Sequence, residues 1–247
     1  MPEGDTIFRT ARTLQRALGG RVVTKFATVL PKLARVDDQS PIAGRTIERV
    51  HAIGKHLLID FSGELTLRTH MRMNGSWHIY RPGERWQRPR DDMRIVIETD
   101  AFVAVGFNIP VAEFTTETPQ LGPDLLGDAF DVDEALRRVR QHPREEIGNV
   151  LLNQQVVAGI GNIWKSESLH AAGVNPFRHV TDLDDATITN ILTLARKQLR
   201  ASANATSPVR HAVYQGKLCR KCGWRIEYRK QGEGARGTYW CPKCQSR

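Results

Sequence analysis

At 247 residues the chain can bury one large core or two smaller ones. Lys and Arg number 36 against 27 Asp and Glu, a formal net charge of +9, which favours a polyanionic partner, nucleic acid first, although basic proteins are also basic for solubility alone. No apolar run nears the roughly 18 residues of a membrane helix, and Glu3 and Asp5 precede the first apolar residues, unlike a secretory leader; a cytoplasmic, non-membrane protein is expected.

The chain opens Met1-Pro2-Glu3-Gly4-Asp5-Thr6. Removal of Met1 would make the Pro2 ring nitrogen a free secondary amine with a carboxylate beside it. Such an amine, titrating at about pH 8, can attack a carbon at the aldehyde oxidation level and form an iminium. An ordinary processed terminus is the plainer reading of the same residues. Residues 6–18 follow with Ile7, Ala11, Leu14 and Leu18 at helical spacing. That helix would hold Pro2 and Glu3 at its N-terminus, where the peptide dipoles favour an ionised carboxylate.

Short β-type runs then succeed one another at 21–29, 46–53, 56–61, 64–70, 75–80, 94–98 and 101–107. They predict a two-sheet sandwich flanked by helices over residues 1–122. Pro119, Gly122, Pro123 and Gly127 mark a boundary, with a linker at 123–132. Beyond it the period turns helical at 133–141, 144–153, 163–172 and 184–201, with Asp133 and Asp184 as N-caps. The fold class is therefore α+β, with a helical domain at 133–210 and a cysteine-bearing tail at 211–247. A groove between two such bodies suits a long ligand.

Within the helical half, Asn153-Gln154-Gln155-Val156-Val157-Ala158-Gly159-Ile160-Gly161-Asn162 contains two glycines two apart, which break the helix into successive tight turns. Free backbone amides and the Asn162 side chain would converge there as a phosphate site. An ordinary helical corner with Asn162 as its cap fits equally well.

All four cysteines lie near the end, as Cys219-x2-Cys222 and Cys241-x2-Cys244. The spacing is that of two knuckles holding one structural Zn2+ through four thiolates, with two disulfides as the alternative. Four protein ligands leave no open position, so such a metal folds the tail rather than catalyses. Between the knuckles, 224–229 and 237–240 read as strands of a hairpin, with Arg229, Lys230 and Arg236 near its tip for phosphate contact or merely for solvent.

Four ordered segments resemble the formamidopyrimidine-DNA glycosylase/endonuclease VIII family: Met1-Pro2-Glu3-Gly4, Gly54-Lys55-His56 on a β-turn, Val157-Ala158-Gly159-Ile160-Gly161-Asn162, and Arg236-Gly237-Thr238-Tyr239-Trp240-Cys241-Pro242-Lys243-Cys244-Gln245. The opening, with Gly4 where the formamidopyrimidine branch has leucine, is closer to the endonuclease VIII branch. The resemblance implies a helix-two-turns-helix motif, a zinc-finger β-hairpin and a bifunctional DNA glycosylase/AP lyase of base excision repair. Its partner would be double-stranded DNA carrying oxidised bases or abasic sites, bound by a monomer and associated with the nucleoid. Pro2 would be the nucleophile and Glu3 the general acid at the sugar. Lys55, Asn162 and Arg236 would hold phosphates around the flipped nucleotide, with Lys55 and Arg236 counted in the catalytic set. In His70-Met71-Arg72-Met73-Asn74-Gly75-Ser76, Met73 would be the wedge filling the vacated stack and Arg72 its neighbour at the orphaned base. Met73 in the core, a structural His70 and an exposed turn lysine at Lys55 are the alternatives.

Two departures bear on specificity. Thr6 stands where relatives carry a second glutamate, so that role is absent or moved to Asp5. Gly106-Phe107-Asn108-Ile109-Pro110 lacks the arginine and phenylalanine pair of the formamidopyrimidine branch, which favours oxidised pyrimidines as substrates. An 8-oxoguanine or formamidopyrimidine enzyme on the same scaffold, and a non-catalytic DNA-binding module, are the alternatives.

Overall fold

Six α-helices and ten antiparallel strands organise residues 2–246, the part of the chain that this computed structural model describes. Met1, whose removal the amine chemistry requires, lies outside the described residues. The chain divides into two units, one of Pro2 and Thr6–Pro119, the other of Glu3–Asp5 and the residues from Gln120 onward.

The first unit is a pair of four-stranded sheets. Strands β1 (Lys25–Thr28), β6 (Met93–Glu98), β7 (Val103–Phe107) and β5 (Ser76–Tyr80) pair in that order. Strands β2 (Ile47–Ile53), β3 (His56–Phe61), β4 (Leu65–His70) and β8 (Val111–Thr115) form the other sheet. One apolar cluster takes Leu57, Ile59 and Leu67 from the second sheet and Phe26, Ile95, Ile97 and Ala104 from the first. Helix α1 (Gly4–Leu18) adds Ile7, Ala11, Leu14 and Leu18 to that cluster, the face its spacing predicts. A second cluster of Tyr80, Val96, Val103, Val105 and Phe107 covers other positions of β5, β6 and β7. That accounts for the unbroken burial of Val103–Phe107, since a strand covered on both faces needs no polar alternation.

Two elements of this unit went unnamed in the sequence pattern. Helix α2 (Pro31–Gln39) carries Pro31 at its first turn but buries only Leu33, so its apolar periodicity is nearly silent. Strand β8 lies in half-exposed sequence and is a strand because it pairs β4 from Thr66↔Thr115 to His70↔Val111.

The second unit contains α3 (Val132–Arg140), α4 (Ile147–Val150), α5 (Asn162–Ala172), α6 (Asp185–Asn204) and a hairpin of β9 (Glu227–Gln231) and β10 (Arg236–Trp240). Asp184 caps α6 through the Thr187 amide, as expected. The cap of α3 is Asp131, which accepts from Glu134 N, and not Asp133, which sits in the first turn. The helix expected over 144–153 shortens to α4 with turns on either side.

Replacing Ile59, fully buried between the sheets, with Ala should cost about 2–5 kcal/mol of unfolding free energy. Urea unfolding should show a lower midpoint with an unchanged slope.

Candidate functional site

The N-terminus of α5 leaves its first amides without helical partners, and a side chain remote in sequence fills them. The buried Glu3 carboxylate accepts from Gly161 N (3.1 Å) through Oε2, from Ile163 N (2.8 Å) through Oε1 and from Trp164 N (3.2 Å) through Oε2. Three N–H donors and the positive end of a helix dipole favour its ionised form. The expected amide cluster is therefore present, but a carboxylate occupies it, and the amides are not free for a phosphate. Glu3 directly precedes α1, as expected, but its carboxylate is bonded at the start of α5. Gly161 is essential to this approach: a Cβ there would stand 2.2 Å from Glu3 Cδ. Gly4 meets the same demand from the other side, since its amide bonds Gly159 O at 3.0 Å and a Cβ would lie 2.8 Å from that oxygen.

Gln154 shapes the two turns before α5. Its amide donates to Leu152 O and Ile160 O and accepts from Gly159 N. Gly161 takes the N-cap position, and Asn162 is the first residue of the helix rather than its cap. Asn162 Nδ2 donates to Gly237 O on β10 at 2.5 Å, and the same side chain hydrogen-bonds Tyr214. Asp5 is buried and accepts from Ser202 Oγ of α6 at 2.5 Å, so the carboxylate next to Thr6 is committed to the helical unit.

On the hairpin, Arg236 is exposed and pairs with Gln231 where β10 begins. Arg229 is not at the tip. It sits opposite Thr238, with its guanidinium 3.6 Å from the Phe177 ring centre and 3.7 Å from Glu146, so it fastens the hairpin. Lys230 lies opposite Gly237 and is exposed, and the turn itself is the narrower stretch 232–235.

In the first unit, Gly54 and Lys55 form the two-residue turn between β2 and β3, with Ile53 paired to His56 and Gly54 at φ 58, the sign a glycine-led hairpin turn requires. His70 ends β4, where its Nδ1 accepts from Arg72 N at 3.1 Å and its ring meets His56 edge-on at 5.1 Å. Burial, then the charges of Arg72 and Lys55, push the His70 pKa down; burial, then His70 and Arg68, push His56 down to about 4. Both rings are thus neutral near pH 7. The neighbouring turn separates two methionines that the sequence could not: Met71 is buried and Met73 is 60% exposed. Arg72 holds a left-handed φ of 48 and is exposed. Phe107 and Ile109 are both fully buried, flanking Asn108 at φ 49.

The four cysteines are free thiols whose sulfurs all lie within 4.8 Å of one another. Cys219–Cys244 at 3.9 Å and Cys222–Cys241 at 3.5 Å are far beyond a disulfide bond and match the ~3.8 Å edge of a tetrahedron with ~2.3 Å metal–sulfur bonds. A two-disulfide arrangement is ruled out, and the donor set fits a tetrahedral thiolate metal. His170 of α5 places Nε2 3.2 Å from Cys219 Sγ, while Gln245 accepts from Cys241 N and donates to Val174 O.

Apart from Asn162, sequence reasoning missed the interior of α5. Six of its buried side chains are polar: Asn162, Lys165, Ser166, Glu167, Ser168 and His170. Glu167 accepts from the amides of Ala212, Val213 and Tyr214, and Lys165 reaches the hairpin. The only signal was a helix without an apolar stripe, which a solvated helix would show equally.

Residues 1–108 match the family model described as the formamidopyrimidine-DNA glycosylase N-terminal domain, and residues 121–210 match that of the formamidopyrimidine-DNA glycosylase H2TH domain. The chain is 40% identical to a probable endonuclease 8 2 of Streptomyces coelicolor, over 100% of this chain and 94% of that protein. It is 34% identical to the DNA-(apurinic or apyrimidinic site) lyase Nei2 of Mycolicibacterium smegmatis, over 100% and 99%. Among solved structures, formamidopyrimidine-DNA glycosylase of Lactococcus lactis, bound non-covalently to DNA containing an AP site, superposes over the whole of both chains with a TM-score of 0.86 at 20% identity, a likeness of fold.

The substitution Gly161→Ala should displace the Glu3 carboxylate and strand three α5 amides, lowering unfolding free energy by about 1–3 kcal/mol. Thermal unfolding against Gly20→Ala, where a Cβ meets nothing within 4 Å but φ is +77, separates this from generic glycine strain.

Proposed function

The chain belongs to the formamidopyrimidine-DNA glycosylase/endonuclease 8 family, and on that premise we infer that it is a bifunctional DNA glycosylase and AP lyase of base excision repair. The observation that carries this reading is the Glu3 carboxylate held on three α5 amides, because a fixed residue 3 fixes the imino acid joined to it by one peptide bond. A DNA-binding module without chemistry has no use for either group.

In the proposed reaction the damaged nucleotide leaves the stack, and the Pro2 nitrogen, freed by removal of Met1, attacks C1′ of its deoxyribose. The C1′–base bond breaks and the base departs with its bonding electron pair, taking a proton from water. Glu3, resting as a carboxylate, takes the proton released by the attacking amine and returns it to the ring oxygen, so the ring opens to an iminium. That iminium withdraws electrons from C2′. Loss of the C2′ proton expels the 3′ phosphate, and a second elimination expels the 5′ phosphate, leaving a one-nucleotide gap.

Lys55, Asn162 and Arg236 are proposed as phosphate ligands. The exposure of Arg236 supports its role, and the position of Asn162 beside it, bonded to Gly237 O, supports the other. A neutral His70, whose Nδ1 is already an acceptor, presents Nε2–H to a phosphate. Met73, exposed on a tight turn beside Arg72, suits an apolar wedge. Oxidised pyrimidines are the proposed bases, because Gly106-Phe107-Asn108-Ile109-Pro110 lacks the arginine and phenylalanine pair of the formamidopyrimidine branch, and its Phe107 and Ile109 are buried. Zinc is the proposed occupant of the thiolates, held by Cys219, Cys222, Cys241 and Cys244. It would supply no chemistry to the reaction; it would clamp the base of the hairpin that carries Arg236. Free cysteines in such a cluster also suit a reducing cytoplasm. The proposed domains are a catalytic sandwich to residue 122, a linker to 132, helices to 210 and the zinc hairpin beyond, acting as a monomer.

Borohydride should trap a covalent adduct between the mature protein and abasic-site DNA, and Pro2→Gly or a retained N-terminal tag should abolish rapid trapping. Glu3→Gln should lose excision of intact oxidised bases by on the order of 100-fold or more. An undiminished adduct on the tagged chain would move the nucleophile to a lysine. Stripping the zinc with a chelator should release one metal per chain and weaken DNA binding; a chain that binds DNA unchanged without metal would refute the clamp.

A further inference from the structure

The mechanism above has no use for the most deeply buried charge in α5. Lys165 is 0% exposed, and its Nζ donates to Thr238 Oγ1 at 2.6 Å and lies 3.5 Å from Gln231 Oε1. The Thr238 hydroxyl donates to Gln231 Oε1, and Gln231 Nε2 donates to Glu146 Oε2 and to Pro176 O, each at 2.8 Å. Burial pushes the Lys165 pKa down to about 8, with Glu3 and Glu146 opposing the shift and Arg236 adding to it. Taking an ammonium out of water is costly, and an apolar side chain of similar length would pin the hairpin to α5 without that cost. Simple adhesion therefore does not account for a lysine.

The geometry accounts for it. Asn162 and Lys165 are three residues apart and share a helix face. They grip consecutive residues of β10, Asn162 at Gly237 O and Lys165 at Thr238 Oγ1. One contact would leave the strand free to pivot; two adjacent ones fix its position and its rotation. Arg236 immediately precedes these residues, pairs with Gln231 and stands two positions from Thr238, so it shares the face that Lys165 holds. The same first turn of α5 carries the Glu3 carboxylate.

We propose that Lys165 is a positioning residue for Arg236: together with Asn162 it locks β10 onto α5 and thereby sets where the Arg236 guanidinium stands relative to Glu3. This rests on the glycosylase/lyase reading for the role of Arg236.

The test is a double-mutant cycle in single-turnover cleavage of an abasic-site duplex, with zinc content and thermal unfolding measured alongside. Lys165→Met should keep its zinc and unfolding midpoint yet lose on the order of 10- to 100-fold in rate, as for a reacting-site group displaced by about 1 Å. In an Arg236→Ala background it should cost nothing further, and Lys165→Arg should restore part of the rate. Losses that multiply, or a Lys165→Met enzyme with the wild-type rate, overturn the proposal. If Lys165→Met sheds its zinc, Thr238→Val, which removes only the hydroxyl partner, must show the same non-additivity; additive losses or zinc loss there overturn it too. A wild-type protein that cleaves no abasic DNA fails the glycosylase/lyase reading instead, whatever the variants do.

Discussion

A single carboxylate bonded to three amides at the start of α5 is the contact on which the arrangement depends. Helix N-termini invite anions, and most proteins with an exposed one leave it to solvent, a local cap or a ligand. Here the third residue of the chain takes the place. Charge-assisted bonds of this kind contribute about 1.5–3 kcal/mol each where they are desolvated, so the chain's opening residues are tethered instead of fraying as termini ordinarily do. A catalytic amine on such a terminus would be useless unless its neighbour were held this way.

Helix α5 extends the same logic along its length. Asn162 and Lys165 meet β10, Glu167 gathers the three amides of 212–214, and His170 reaches Cys219. Each bond spans 45 residues of sequence or more. A helix so polar inside cannot be held by the hydrophobic effect alone. It is held by satisfied polar partners, whose directionality specifies one position where apolar packing would tolerate several. The sandwich shows the opposite economy: an apolar cluster from two sheets and α1.

Much of this was legible in the chain. The sandwich followed from period-two runs, α1 from Ile7, Ala11, Leu14 and Leu18, and the metal site from two Cys-x2-Cys pairs, because each depends on local spacing. Helix α2 and strand β8 were not legible, the first because it buries one side chain and the second because a partner strand makes it. At the site, Glu3 was legible as a carboxylate of interest but not as the cap of a helix about 160 residues away in sequence.

The sequence by itself determined which groups are available: an imino acid at position 2, a carboxylate at 3, a lysine on a tight turn, an amide after two glycines, an arginine on a hairpin and four thiols. It determined the periodic elements too, since side-chain spacing and backbone geometry act over a few residues. Only the tertiary structure decided which groups are already spent. The amides of Gly161, Ile163 and Trp164 are filled by Glu3, Asp5 is bonded to Ser202, Arg229 is stacked on Phe177, Met71 is core and Met73 is not. Those outcomes turn on partners far away along the chain, and no local pattern encodes the meeting of two distant residues.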